Sequence, residues 1–335
     1  MKRFQVAGFC IVLALFLLPI AAFAQQKGAP VVRQYGLGSP FQITDLPTGL
    51  LRSALESLPP QAKSRALEQL HSFSFPHQDI EHLRVDKEGG VFYADPFETD
   101  NGADNGAATA EAAPALVFDP AKAFLLHSRP GASKKVFLNF QGGNVSGTAW
   151  SSNALQALPY DTDGNPGVFS DAERRVIADI WHRVAEDYAP FDIDVTTERP
   201  AVFGPTVGHV MITKDTDAYG LAMPSQGYGG VAYVNVWGGS SYATTYSPAF
   251  VYFNNLGTTS AHNIAEAASH EFGHNLGLSH DGTATTGYYS GLGTGNVSWG
   301  PIMGVGYYTQ VTQWSKGNIR VPTTRRMIWR SLPGS

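Results

Sequence analysis

Hydrophobic and polar positions in the C-terminal two-thirds of the chain repeat with two periods, and these predict five strands and two helices. The strands are short runs rich in β-branched and aromatic residues, at 136–140, 191–196, 208–213, 231–237 and 249–253. The first helix begins at Ser170, a favourable N-cap, and keeps apolar residues at helical spacing as far as Tyr188. The second helix covers residues 260–276 and also has an apolar side. This order of elements predicts an α+β domain.

The N-terminal third has a weaker and mixed pattern. Leucines at helical spacing predict a helix over residues 46–73, broken by a Pro-Pro pair, and weak alternation around a Gly-Gly pair predicts a hairpin over residues 83–97. Residues 100–114 are rich in Ala, Gly, Asn and Asp without an apolar period, which indicates a flexible linker. We therefore predict that residues 25–130 are a propeptide ahead of an enzyme domain at 131–335. The alternative is an accessory domain that stays attached.

The first 24 residues have the organisation of a secretory signal peptide. Two basic residues precede an apolar run at 6–20, and a small-x-small cleavage site follows at residues 22–24. An uncleaved membrane anchor is the alternative, but the small residues at the end favour cleavage. The sequence thus predicts a secreted protein, extracellular or periplasmic, without stable membrane association. Because the only cysteine, Cys10, lies in this segment, the mature chain would have no thiol.

Length and charge narrow the function classes further. The chain has 335 residues, which is enough for one large domain or two ordinary ones with a buried core. Its net charge is −5 and only 15% of its residues are charged, so it shows no basic footprint of a nucleic-acid-binding protein. We therefore expect no nucleic-acid partner.

The candidate chemistry lies in HEFGHNLGLSHD, at residues 270–281. His270 and His274 are four residues apart on the second predicted helix, so both imidazoles can reach one metal ion. Glu271 lies beside the first ligand, where a carboxylate can take a proton from a metal-activated water. Gly277 can adopt the left-handed conformation that ends a helix, and His280 can then return as a third ligand.

Three nitrogen ligands with one open position predict a catalytic zinc ion, because a structural zinc site is closed by a fourth protein ligand. A chance HExxH on an amphipathic helix is the alternative. The motif continues through Gly277, His280 and Asp281, and this length argues against coincidence.

These residues resemble the metzincin clan of zinc endopeptidases, and within it most the reprolysin (adamalysin) group. The resemblance implies a twisted five-stranded mixed sheet with a long backing helix and an active-site helix. It also implies a lower subdomain with a methionine turn, which places Met303 of Pro301-Ile302-Met303-Gly304 beneath the three imidazoles. Asp281 would tie the turn into that subdomain. Protein or peptide substrates would lie extended along the edge strand at residues 231–237.

Two further sites are weaker hypotheses. Asp95 could close the zinc site in a latent precursor, as an aspartate does in astacin-like relatives, but a turn residue before proline is the favoured interpretation. The loop from Asp161 to Asn165 alternates oxygen side chains and could hold calcium. A plain turn is favoured there too, because the loop departs from the EF-hand pattern.

Two alternative hypotheses, from other classes of function, remain open. The chain could be a secreted zinc protein for adhesion or partner binding, with a vestigial cleft. Retention of Glu271 argues against this, since a site that only binds metal has no use for that carboxylate. It could also be a metal hydrolase for a non-peptide amide.

Overall fold

The computed structural model describes residues 32–97 and 118–315. The predicted signal peptide at 1–24 and the linker at 100–114 lie outside the described residues. Within the described ranges, no helix is both long enough and apolar enough to cross a membrane.

The N-terminal unit, residues 32–97, has its own hydrophobic core. Aromatic and aliphatic side chains such as Tyr35, Leu55, Leu70 and Phe75 are buried together. The predicted helix is two helices, because the Pro-Pro pair interrupts it as expected. The predicted hairpin is also present. The elements are β1 (Gln34–Gly36), α1 (Leu50–Ser57), α2 (Pro60–Ser72), β2 (Ser74–Pro76), β3 (Leu83–Val85) and β4 (Val91–Asp95).

The C-terminal unit, residues 118–315, contains all five predicted strands and both predicted helices. Its elements are β5 (Lys135–Asn139), β6 (Gly143–Val145), β7 (Leu155–Ala157), α3 (Asp171–Tyr188), β8 (Asp194–Thr196), β9 (Val207–Thr213), β10 (Gly230–Tyr233), β11 (Ala249–Tyr252), α4 (Ala261–Asn275), β12 (Trp299–Pro301) and β13 (Val311–Gln313). Ser170 caps α3 in a capping box with Glu173. The buried side of α3 and α4 packs in one core with the central strands.

The main sheet has seven strands in the order β3-β4-β10-β11-β9-β5-β8. Strands β8, β5, β9 and β11 run parallel to one another, whereas β10 is antiparallel to β11 and to β4. The prediction of a five-stranded sheet with residues 231–237 at its edge was therefore incomplete. The five strands are present, but β3 and β4 of the N-terminal unit extend the sheet beyond β10. Alternation of polar and apolar residues identifies strands without identifying their partners.

Gln69 on α2 joins the N-terminal unit to the sheet. Its Nε2 donates to the carbonyls of Val91 and Val234 at 3.1 and 2.7 Å, and its Oε1 accepts from the amide of Val91 at 2.8 Å. One side chain thus connects α2, the start of β4 and the residue after β10.

We predict that Gln69→Ala lowers the free energy of unfolding by about 1–3 kcal/mol, because it leaves partly buried backbone groups without partners. Urea denaturation followed by circular dichroism measures this change. Gln61→Ala is the matched control, since Gln61 lies on the same helix and is exposed. Equal midpoints for the two variants would contradict the prediction.

Candidate metal centre

Helix α4 presents two of the three predicted ligands on one face. The ring centroids of His270 and His274 are 4.7 Å apart. The helix ends in a Schellman motif, in which the amides of Gly277 and Leu278 donate to the carbonyls of His274 and Gly273 at 2.8 and 3.0 Å. Gly277 has a φ of +90°, so the left-handed conformation predicted for it is present.

The turn at Gly277 returns His280 toward the helix, and the three imidazoles converge with the carboxylate of Asp95. Asp95 Oδ2 lies 3.0 Å from His274 Nε2 and 3.6 Å from His270 Nε2, and Asp95 Oδ1 lies 3.1 Å from His280 Nε2. All four side chains are buried, and one ligand atom from each lies within 4.8 Å of the others. Three imidazole nitrogens and a carboxylate are a donor set that suits zinc.

For two of the three rings, the second nitrogen fixes the orientation of the ring. His270 Nδ1 lies 2.8 Å from the carbonyl of Ile302, and His274 Nδ1 lies 2.8 Å from the carbonyl of Leu278. An Nδ1–H that donates to a carbonyl leaves the lone pair of Nε2 for a metal ion. Within the described residues, His270 Nε2 and His280 Nε2 are buried without a hydrogen-bond partner. The site therefore fits a metal ion.

Burial and the close charges change the protonation of these groups. Burial alone would raise the pKa of Asp95, but the imidazoles of His280 and His274 hold it well below its usual range. Burial lowers the pKa of His274 to about 4, against the opposing effect of Asp95. For His280, the carboxylates of Asp79 and Asp95 overcome burial and raise the pKa to about 10. The centre therefore attracts a cation, either a proton or a metal ion.

Glu271 is buried beside this cluster, directly beneath β10. Its Oε2 has no hydrogen-bond partner within the described residues. A Cβ added to Gly230 would lie 2.1 Å from Glu271 Oε1, so the carboxylate approaches the strand closely only because residue 230 is glycine. Burial, and then the charge of Asp95, raise the pKa of Glu271 well above its usual range.

Met303 lies under α4, in a turn closed by a 2.9 Å hydrogen bond from the amide of Gly304 to the carbonyl of Pro301. A Cβ added to Gly273 would lie 2.5 Å from Met303 Sδ, so the helix and this turn are in close contact. The amide of Asp281 donates to the carbonyl of Met303 at 2.7 Å, which joins the segment after His280 to the turn.

The position of Asp95 differs from the one that the sequence favoured. The favoured hypothesis made it a turn residue before proline, but it ends β4 and its carboxylate lies among the three imidazoles. Sequence reasoning also missed Tyr288, whose hydroxyl donates to Asp95 Oδ1 at 2.7 Å, and Tyr93, whose ring stacks on His274 with centroids 4.1 Å apart. It missed Asp79 as well. None of these residues lies in a motif, because each reaches the site only through the folding of the chain.

The loop at Asp161 forms the turn that was favoured for it. Asp161 Oδ1 accepts from the amides of Gly164 and Asn165 at 2.8 and 3.0 Å. Carboxylate oxygens of Asp161, Asp163 and Glu173 also lie within 4.8 Å of one another. Glu173 already accepts four hydrogen bonds, from the amides and hydroxyls of Thr162 and Ser170, so its charge is satisfied without an ion.

The part of the chain that matches a known protein family includes the three histidines of this centre. Residues 187–281 match the model of a family described as metallo-peptidase family M12B, reprolysin-like. The segment begins at the end of α3 and ends one residue after His280. No curated protein and no solved structure matches the chain.

The contact between α4 and the methionine turn leaves no room for a side chain at Gly273. Alanine favours a helix over glycine by about 1 kcal/mol, but Gly273→Ala would force its new methyl group into Met303. We expect net destabilisation of about 1–3 kcal/mol, the range for overpacking of a core. Thermal unfolding measures it. In a Met303→Ala background the same change should be neutral or stabilising, and a loss of equal size in both backgrounds would contradict the contact.

Proposed function

We propose that the chain is a reprolysin-like zinc metalloendopeptidase, as the family match over residues 187–281 supports, and that its residues have the following roles. His270, His274 and His280 hold the catalytic zinc, and Glu271 is the general base. The N-terminal unit is a prosegment that keeps a secreted precursor latent. Substrates of such peptidases are proteins or peptides.

One observation carries this proposal: three imidazoles and a carboxylate from distant parts of the chain meet within 4.8 Å. Four groups whose lone pairs face one another repel unless a cation lies between them. Two of the rings are already oriented through Nδ1 by backbone carbonyls, as metal-bound histidines require.

The chain's own residues then account for proton transfer. A zinc ion in this site would polarise the scissile carbonyl and make a nearby water more acidic. Glu271 takes the proton of the attacking water and gives it to the leaving amine. Its buried Oε2 without a partner is suited to this task, since no other donor competes for it. Its Oε1 lies close to Gly230 of β10.

Strand β4 occupies the position that we assign to the substrate. It pairs antiparallel with β10, with Asp95 opposite Gly230 and Phe92 opposite Tyr233. Main-chain pairing with a sheet edge is how extended peptides bind such a surface. Beyond Asp95 the chain continues along the methionine turn, where the rings of Phe97 and Tyr307 have centroids 4.9 Å apart. A substrate would pair with β10 in place of β4 and would then run along the same methionine turn.

Latency follows from the same contacts. Asp95 fills the position that a catalytic site must keep open for water or substrate. Its charge also raises the pKa of Glu271, which favours the protonated acid over the base. Cleavage in the segment after β4, followed by release of the N-terminal unit, would expose both β10 and the metal. Secretion through the predicted signal peptide fits this order of events.

The non-peptide amidase and the adhesion protein are less well supported. The matched family is a peptidase family, and the antiparallel pairing of β4 with β10 supports an extended peptide as the substrate. A buried carboxylate beside the histidines has no role in adhesion.

We predict that Glu271→Ala retains about one zinc per chain but loses casein hydrolysis by at least ~10²-fold, the usual contribution of a general base. Zinc content by atomic absorption and a casein assay measure the two properties. Glu186→Ala is the control, because Glu186 is an exposed carboxylate on α3. Hydrolysis at the wild-type rate by Glu271→Ala would show that the base is another group.

We predict that Asp95→Ala shortens the lag before proteolytic activity appears in purified full-length chain, because it reopens the site and removes the charge that keeps Glu271 protonated. The measurement is a progress curve with a quenched peptide substrate at saturating zinc.

Asp86→Ala is the matched control for this experiment. Asp86 belongs to the same hairpin and its Oδ2 accepts a 2.8 Å hydrogen bond from Tyr233 on β10, but it lies outside the histidine cluster. An unchanged lag for Asp95→Ala, or an equally short lag for Asp86→Ala, would remove Asp95 as the latency residue.

A further inference from the structure

The three histidines differ in what holds their second nitrogen. The carbonyls that meet Nδ1 of His270 and His274 belong to Ile302 and Leu278, both in the C-terminal unit. His280 Nδ1 instead lies 3.3 Å from a carboxylate oxygen, Asp79 Oδ1. Asp79 belongs to the N-terminal unit, 201 residues earlier in the chain. The carboxylate that faces Nδ1 of the third imidazole therefore belongs to the unit that we propose to be a prosegment.

Asp79 is fully buried, and its two oxygens have different tasks. Oδ2 accepts from the hydroxyl of Tyr93 at 2.8 Å and from the amide of His280 at 3.1 Å. Oδ1 has no hydrogen-bond partner of good geometry within the described residues and faces the imidazole. A buried carboxylate is costly unless a donor or a positive charge compensates it. The imidazole of His280, protonated or bound to a metal ion, is the group placed to do so.

We propose that Asp79 is a positioning residue for His280, and that through it the N-terminal unit sets the metal affinity of the centre. The inference rests on the proposed role of His280 as a ligand. An Nδ1–H that donates to a carboxylate fixes the tautomer whose Nε2 lone pair points to the metal, and it makes that nitrogen more basic.

This arrangement gives the N-terminal unit a second task besides blocking the cleft. Asp95 approaches Nε2 of His280 from one side, and Asp79 approaches Nδ1 of the same ring from the other. Both carboxylates leave the centre if the unit is released. The precursor therefore holds zinc more tightly than the released C-terminal unit, so the metal is loaded before activation.

The test measures the zinc dissociation constant of the full-length chain by competition with a chromogenic chelator. A Glu271→Ala background prevents self-cleavage during the titration. Asp79→Ala should weaken zinc binding by about 10- to 100-fold, the usual effect of losing such a partner. Asp86→Ala is the matched control, because Asp86 Oδ2 accepts a 2.8 Å hydrogen bond from a tyrosine hydroxyl, as Asp79 Oδ2 does, but Asp86 lies outside the histidine cluster.

Asp79→Asn tests the same idea in a chain with unchanged side-chain volume. In Asp79, one carboxylate oxygen faces His280 Nδ1 and the other accepts two hydrogen bonds. An amide has only one oxygen and cannot do both. If the NH₂ group meets Nδ1, it stabilises the tautomer with hydrogen on Nε2, which does not bind metal. This variant should therefore also bind zinc more weakly than the parent.

Thermal unfolding separates positioning from simple structural support. A structural role lowers the Tm of the metal-free chain and leaves the zinc-induced rise in Tm unchanged. A positioning role reduces that rise, because stabilisation by a ligand depends on its dissociation constant. If metal-free Asp79→Ala is unfolded, the Asp79→Asn titration decides alone.

The outcomes distinguish this inference from the proposed function. Weaker zinc binding in both Asp79 variants, with Asp86→Ala unchanged, supports it. Zinc binding by the folded Asp79 variants that equals that of Asp86→Ala, while His280→Ala binds zinc weakly, overturns the role of Asp79 and leaves the ligand assignment intact. Zinc binding by His280→Ala that equals the parent overturns the ligand assignment itself.

Discussion

The structure depends on one cluster of metal-binding groups, in which the lone pairs of three imidazoles and a carboxylate face one another. Only a cation between them can stabilise this arrangement. His270, His274 and His280 direct their Nε2 atoms toward one buried point, and Asp95 directs a carboxylate toward the same point. A buried charge is tolerated when it is paired, so an ion at this position would make the cluster stabilising. The glycine turn after α4 and the methionine turn beneath it bring the third imidazole back to the first two.

The N-terminal unit contributes side chains to this centre. It adds two strands to the main sheet, covers β10, and contributes Asp95 and Asp79 on opposite sides of His280. Its own core includes Val234, the residue after β10, so the two units also share hydrophobic contacts. Latency and metal loading would thus depend on one interface, and release of the unit would change both together.

Local signals predicted much of this from the sequence. Neighbouring residues determine the capping box at Ser170, the left-handed conformation of Gly277 and the apolar period of α4. The helices and the three histidine ligands could therefore be predicted from the sequence alone. The partner of β10, the place of Asp95 and the contact of Asp79 with His280 depend on pairings between distant parts of the chain. Alternation marks a strand but does not identify its neighbour, and a lone aspartate before proline has the same local pattern in a turn or beside a metal.

X-ray absorption at the zinc edge of the full-length chain measures which groups bind the metal. We expect one zinc with three imidazole nitrogens and one carboxylate oxygen, all at about 2.0–2.2 Å. Asp95→Ala should keep the three imidazoles and exchange the carboxylate for a water oxygen. A spectrum with fewer than three imidazoles in the wild-type chain, or one that Asp95→Ala leaves unchanged, would rule out this set of ligands.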